Sequence, residues 1–361
     1  WVKEMHVDGF RFDLAAILER DESGQLMPNP PVLWDIESDP ELAGIKLIAE
    51  AWDAAGLYEV GSFIGDSWKE WNGRFRDDVR SFFRAEEGSV RRFADRLLGS
   101  PAIYGHEERE AEQSVNFVTC HDGFTLNDLV SYDYKHNEAN GENNRDGAND
   151  NRSWNCGVEG PTDDPGVEKL RNQQVKNFLT VTMLSIGMPM LLMGDEVRRT
   201  QRGNNNAYCQ DNETSWFDWT LLAKNADVHR FVTLLNARRV LRDLEPERQH
   251  VSLNQLLRGV NLAWHGVKLN QPDWGESSHS IAFTVERPQK LFFHVIFNAY
   301  WEPLDFDLPR LDSAGENPWR RWIDTALDSP HDIFEWEIAE SIPGYTYPAE
   351  SRSVVVLFTE V

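Results

Sequence analysis

Four short apolar runs, each closing on acidic residues and each followed by a helical segment, limit what this chain can fold into. They are His6 to Asp13, Gly44 to Glu50, Ser114 to Cys120 (followed by His121-Asp122), and Met188 to Met193 (followed by Gly194-Asp195-Glu196). Between them, helical patterns run over Leu14 to Arg20, Trp34 to Leu42, Trp68 to Arg84, Val90 to Leu98, Leu170 to Ile186 and Val228 to Leu244. Val79, Phe82 and Phe83 fall at helical spacing, and Pro28 to Pro31 reads as a helix break. Strands that alternate with helices predict a parallel α/β sheet with both faces covered, over residues 1–247. In such sheets the C-terminal strand ends face the site, so the acids can converge.

Beyond residue 247 the texture changes. Ser280 to Glu286, Leu291 to Asn298, Glu302 to Leu308 and Ser353 to Thr359 read as short strands, with a hairpin turn at Arg287-Pro288-Gln289-Lys290. Residues 248–361 are expected to form a separate antiparallel β domain, a sandwich.

Charge narrows the partners. A net charge of −24 over 361 residues repels phosphate, which argues against nucleic acid and leaves a neutral substrate compatible. No run is long enough for a membrane helix. Cys120, Cys156 and Cys209 show no CxxC spacing, which argues against a disulfide scaffold or a zinc cluster and fits a reducing, cytoplasmic setting. The opening Trp1-Val2-Lys3-Glu4-Met5 resembles neither a signal peptide nor a natural start, so an N-terminally truncated chain is expected.

The first run carries the chemistry most openly. Side chains alternate along a strand, so Gly9, Arg11 and Asp13 share one face and Phe10 and Phe12 the other. A guanidinium beside Asp13 keeps it ionised and oriented, as a nucleophile requires; a structural ion pair closing a strand is the alternative. Three acids around one cleft, Asp13, Glu50 and Asp122, repel one another, which keeps at least one protonated. One protonated acid, one ionised nucleophile and a third stabilising anion are the parts of a retaining glycosidase.

Three stretches carry a specific likeness: Asp8-Gly9-Phe10-Arg11-Phe12-Asp13, Ile48-Ala49-Glu50-Ala51-Trp52 and Phe117-Val118-Thr119-Cys120-His121-Asp122. In order, they resemble the three later signature strands of the α-amylase superfamily. His121 to Val130, Lys135 to Glu142, Ser153 to Gly157 and Gly203 to Asn212 resemble its isoamylase and glycogen-debranching branch. The resemblance covers nearly all of residues 1–247. It implies about the last five strands of a (β/α)8 barrel, with the superfamily's first signature strand lying before residue 1. A five-stranded arc exposes two sheet edges, so this chain alone is expected to be marginal or inactive.

The resemblance also implies roles. Asp13 is the nucleophile, Glu50 the acid and base, and Asp122 the transition-state stabiliser. Arg11 orients Asp13, and His121 bonds a sugar hydroxyl. The implied substrate is an α-glucan such as glycogen or limit dextrin, cleaved at α-1,6 branches. Two alternatives stand beside it: α-1,4 hydrolysis or transglycosylation, and a non-catalytic glucan-binding subunit.

Other residues have two readings each. Trp52 stacks on a glucose ring or packs behind the strand. Asp195 and Glu196 line the cleft or bond loop amides. Asn204, Asn205 and Asn206 recognise hydroxyls or, the favoured reading, build turns. The polar loop from Asp133 to Gly166 walls a groove or is a solvated excursion. No cofactor is expected; the loop's oxygen ligands admit calcium, but no EF-hand spacing supports it. Cys120 reads as a small buried apolar residue.

Overall fold

The computed structural model describes residues 1–105, 109–243, 252–287, 291–311 and 319–360. Five parallel strands form one sheet in sequence order: β1 (Gly9–Phe12), β2 (Lys46–Ala49), β3 (Trp68–Trp71), β4 (Ser114–Asn116) and β5 (Met188–Pro189). Gly9 pairs with Lys46 and Phe12 with Ala49, which sets Asp13 and Glu50 side by side just past two neighbouring strand ends. A Cβ on Gly9 would stand 2.5 Å from the Lys46 carbonyl oxygen, so only glycine permits this approach.

β3 corrects the sequence reading, which ran Trp68 into the following helix. Trp68 and Trp71 are buried, and Asn72 ends the strand by capping the helix Gly73–Phe83, accepting from Phe75 N at 2.9 Å. The charged Lys69 and Glu70 hid the strand. Glu70 points inward, where its carboxylate accepts from Gly61 N, Tyr104 Oη and Arg109 Nη1. Lys69 Nζ donates to the Glu112 carbonyl at 3.1 Å.

Two further boundaries differ. Pro31 starts the helix Pro31–Ser38 instead of breaking one, because proline at the first helical position gives up an amide that would have no intrahelical partner. β5 is two residues long, since Pro189 has no N–H to donate; Met190 N then reaches Asn116 O at 2.8 Å.

The C-terminal part holds a six-stranded antiparallel sheet, ordered β11 (Glu340–Ser341), β10 (Arg320–Asp324), β13 (Ser353–Glu360), β8 (Leu291–Asn298), β7 (Ser280–Arg287), β6 (Asn261–His265). A two-stranded sheet pairs β9 (Leu304–Asp307) with β12 (Thr346–Ala349). β13 is apolar on both faces because both are covered. Val354, Val356 and Phe358 join the core shared with the helices of the parallel unit, and Val355 and Leu357 join the core shared with β9 and β12. The first of these cores is continuous across the two parts. Phe82 and Phe93 stack at 3.8 Å, and Phe93 meets Phe297 of β8 edge-on at 5.0 Å.

The sequence boundary at 247/248 and the turn residues 288–290 lie outside the described residues. The helix Leu253–Arg258, on the β side of that boundary by sequence, packs on the parallel unit. Leu253 N donates to Arg109 O at 2.8 Å, and Leu253 is buried with Ala15, Leu47 and Trp68. No helix among the described residues is long and apolar enough to cross a membrane.

Candidate active site

The turn after β1 folds onto the end of β2. Leu14 adopts φ 44°, a left-handed conformation that costs a residue other than glycine on the order of 1 kcal/mol. That conformation aims Leu14 N at Glu50 Oε2, 3.0 Å away, while Ala15 N donates to Glu50 O at 2.8 Å. Arg11 lies between the acids. Its Nη1 donates to Asp13 Oδ1 at 2.7 Å and its Nη2 pairs with Glu50 Oε1. Beneath it, the guanidinium stacks on the Trp71 ring, 4.0 Å from the centroid.

The two carboxylates differ in exposure. The Glu50 side chain is 4% exposed and that of Asp13 65%. Burial pushes the Glu50 carboxyl above its ordinary value; the Leu14 hydrogen bond and Arg11 pull it back only in part. One acid is therefore biased toward its proton, and the other stands in water beside a cation.

The segment after β4 completes the cluster. His121 Nε2 lies 3.6 Å from Asp13 Oδ1 and 3.7 Å from Asp122 Oδ2, and its ring packs 5.7 Å from that of Trp71. Asp13, Glu50 and His121 each offer an atom within 4.8 Å of the others. Asp122, largely exposed, joins them through His121. The Arg11 guanidinium stands between the two carboxylates of this cluster, with Nη1 on Asp13 and Nη2 on Glu50. In the polar loop, Lys135 Nζ likewise sits on the Asp146 and Gly147 carbonyls at 2.8 and 3.1 Å.

Trp52 is half-buried at the mouth of the loop after β2. It stacks on Tyr58 with ring centroids 6.0 Å apart and 10° between planes. The next residue, Asp53, is tied to Arg20 and to the Ala55 and Leu57 amides. Asp195 is buried and bonds loop groups instead of lining the cleft: it accepts from Thr119 Oγ1 and from Leu126 N at 2.9 Å. Glu196 accepts from Gly194 N. Cys120 is buried, and its Sγ faces the Asp122 carbonyl at 3.4 Å.

The asparagines knit two loops into one wall. Asn137 and Asn205 exchange hydrogen bonds of 2.8 and 2.9 Å, Asn205 Nδ2 reaches Asn151 Oδ1 and Ala148 O, and Asn204 and Asn206 hold Asn140 and Asp146. Gly123 N donates to Asn205 O at 2.9 Å, so this wall abuts the His121-Asp122 turn. Sequence reasoning missed Trp71 and the Leu14 amide. The Asn72 cap was the available sign that a strand ended at Trp71.

The family described as "Isoamylase 1-3, C-terminal" matches residues 263–350. "Isoamylase SU1, chloroplastic" from Zea mays is 39% identical over 388 residues, covering 99% of this chain and 48% of that protein. The "Glycogen operon protein GlgX homolog" of Mycobacterium tuberculosis (strain ATCC 25618 / H37Rv) is 44% identical over 378 residues, covering 99% of this chain and 51% of its own length.

Along nearly its whole length this chain is similar to isoamylases and GlgX proteins.

The chain spans about half the length of the curated relatives it matches. Its fold is also that of pullulanases. Pullulanase type I from Bacillus subtilis, solved with maltose, superposes with a TM-score of 0.67 at 20% identity over 100% of this chain and 45% of that one. The pullulanase from Bacillus acidopullulyticus does so at 0.66 and 20%, over 99% and 38%. In this chain the parallel strands carry Asp13, Glu50 and His121-Asp122 at or just past their C-terminal ends, and the antiparallel sheets buttress the helices behind them.

Proposed function

We propose that this chain carries the catalytic carboxylates of a retaining glycoside hydrolase that cleaves α-1,6 branch linkages in glycogen or related α-glucans. The observation that carries the reading is the pairing of a buried acid with an exposed one at short range: Asp13 and Glu50 oxygens come within 4.8 Å. Retaining enzymes hold their carboxyl groups about 5–5.5 Å apart, whereas inverting ones leave about 6.5–9.5 Å for a water.

In this reading, Asp13 Oδ attacks the anomeric carbon as the glycosidic bond breaks. The leaving oxygen takes the proton of Glu50, and a glycosyl ester on Asp13 results. Glu50, now ionised, removes a proton from water. The water oxygen bonds to the anomeric carbon, the ester bond breaks, and Asp13 leaves as a carboxylate. Arg11 steadies the Asp13 charge. Asp122 and His121 bond the sugar hydroxyls as positive charge develops on the ring. Trp52 offers an aromatic face to a glucan chain, and the asparagine network steadies the wall beside the His121-Asp122 turn. The names of the relatives, isoamylase and glycogen operon protein, support the choice of linkage.

The test uses the full-length parent protein. Glycogen should yield short linear chains, the first-formed reducing ends should be α by proton NMR, and Asp13→Ala and Glu50→Gln should abolish release. Rapid shortening of linear maltodextrin without branch release would point to α-1,4 chemistry instead. A first-formed β anomer would sink the retaining mechanism.

A further inference from the structure

Behind the site, two loops exchange buried carboxylates. Asp195, which follows β5, reaches the β4 loop at both ends of the turn that bears His121 and Asp122. Thr119 Oγ1 donates to its Oδ2, and Leu126 N donates to its Oδ1 at 2.9 Å. Asp128, in the β4 loop, reaches back. Its carboxylate accepts from Thr200 Oγ1 at 2.5 Å, Gln201 N at 2.7 Å and Gly203 N at 3.3 Å. Thr119, Asp128 and Asp195 are all at most 1% exposed. Asn127 Nδ2 adds a long contact of 3.5 Å to Asp128 Oδ1, and all of these partners are donors, hydroxyls or amides, which is the complement an ionised carboxylate needs. Beyond the clasp, the two loops meet again where Gly123 N bonds Asn205 O.

Geometry gives this clasp a consequence. Only Cys120 to Thr125 lie between the two groups that Asp195 holds, and His121 and Asp122 are in that span. The His121 and Asp122 side chains are 49% and 71% exposed, and both residues lie past the end of β4 at Asn116. Their direction therefore depends on the ends of the turn and on the Gly123 N–Asn205 O bond inside it, and the position of the wall that supplies that bond depends on Asp128.

We propose that Asp195 and Asp128 are positioning residues of the reaction, whose exchanged carboxylates fix the turn presenting His121 and Asp122 and the wall next to it. The proposal rests on the hydrolase reading above for its kinetic consequence and on the geometry alone for its structural one.

The experiment uses the full-length parent. In Asp195→Ala, amide exchange across residues 119–126 should rise. The kcat should fall by roughly tenfold or more, the size of a lost charge-assisted hydrogen bond, with little change in KM. Asp195→Asn should recover most of the rate, because its carbonyl still accepts from Leu126 N and its amide can donate to Thr119 Oγ1. Unchanged exchange and kcat in Asp195→Ala would overturn the proposal, as would an Asn variant no better than Ala. Should Asp195→Ala fail to fold, Thr119→Val removes one end of the clasp; a folded Thr119→Val with wild-type kcat and exchange would overturn it equally. If the wild type releases no chains, the hydrolase reading fails by itself, and the exchange comparison still decides the clasp.

Discussion

Arg11 and Trp71 stack across the sheet, the guanidinium carbon 4.0 Å from the ring centroid. That contact links β1 to β3 beneath the two carboxylates, and it gives the guanidinium a flat floor. Arg11 can then reach Asp13 with one nitrogen and Glu50 with the other. A cation–π contact is worth about 0.5–2 kcal/mol. Trp71→Leu should therefore lower kcat/KM by roughly 2- to 30-fold. Trp71→Phe, which keeps a π face, should lose less. Steady-state kinetics on a branched glucan check it, and equal rates for the Leu variant and wild type would show that the stack does not orient Arg11.

Glu50 should set the alkaline limb of the rate profile. As the proton donor it must be protonated, and burial raises its pKa above the ordinary 4.5. The sign follows: the proton that Glu50 donates is lost, and kcat/KM falls, as pH rises through that raised value. Glu50→Gln should lose glucan cleavage yet still turn over a glycosyl fluoride, whose leaving group needs no proton, with azide as the acceptor. A Gln variant as inactive on the fluoride as on glycogen would remove Glu50 from the acid role.

Glu70 makes a prediction about stability. It is fully buried on β3, and burial pushes its carboxyl up to about 7 from 4.5, against the pull of Gly61 N and Arg109. Between those values the folded state binds more protons than the unfolded one, so this group's contribution to stability falls as pH rises through that window. The full effect is about 3 kcal/mol. Glu70→Gln, which cannot ionise, should gain on the wild type by that amount between about pH 4.5 and 7. Urea unfolding at several pH values measures it; a parallel pH dependence in both proteins would refute the assignment.

Gly9→Ala should loosen the first strand pair. Its new methyl would meet the Lys46 carbonyl oxygen at 2.5 Å and the Lys46 Cβ at 2.7 Å. Overpacking of this kind costs about 1–3 kcal/mol. Because β1 and β2 end at Asp13 and Glu50, activity should fall along with the denaturation midpoint. A variant with wild-type midpoint and wild-type kcat would mean that the strands can separate without cost.

Much of this protein is written locally. Asp8 to Asp13 fixes a face with a cation two residues from an acid, and Gly44 to Glu50 and Ser114 to Asp122 repeat an apolar run closed by polar residues. Period and spacing survive in such runs because they depend on the backbone alone. The Ser353 to Thr359 run likewise reads as a strand from its sequence, and the fold then covers both its faces. Tertiary structure decided the rest. It separated Trp68–Trp71 from the helix after it, because Glu70 is buried against groups remote in sequence. It buried Glu50 and left Asp13 in water, a difference two carboxylates at strand ends do not carry in their own composition. It turned Asp195 inward to Thr119 and Leu126, some seventy positions away. The residue types and their order come from the chain, whereas protonation and orientation come from desolvation and through-space partners, which exist only once distant segments have packed.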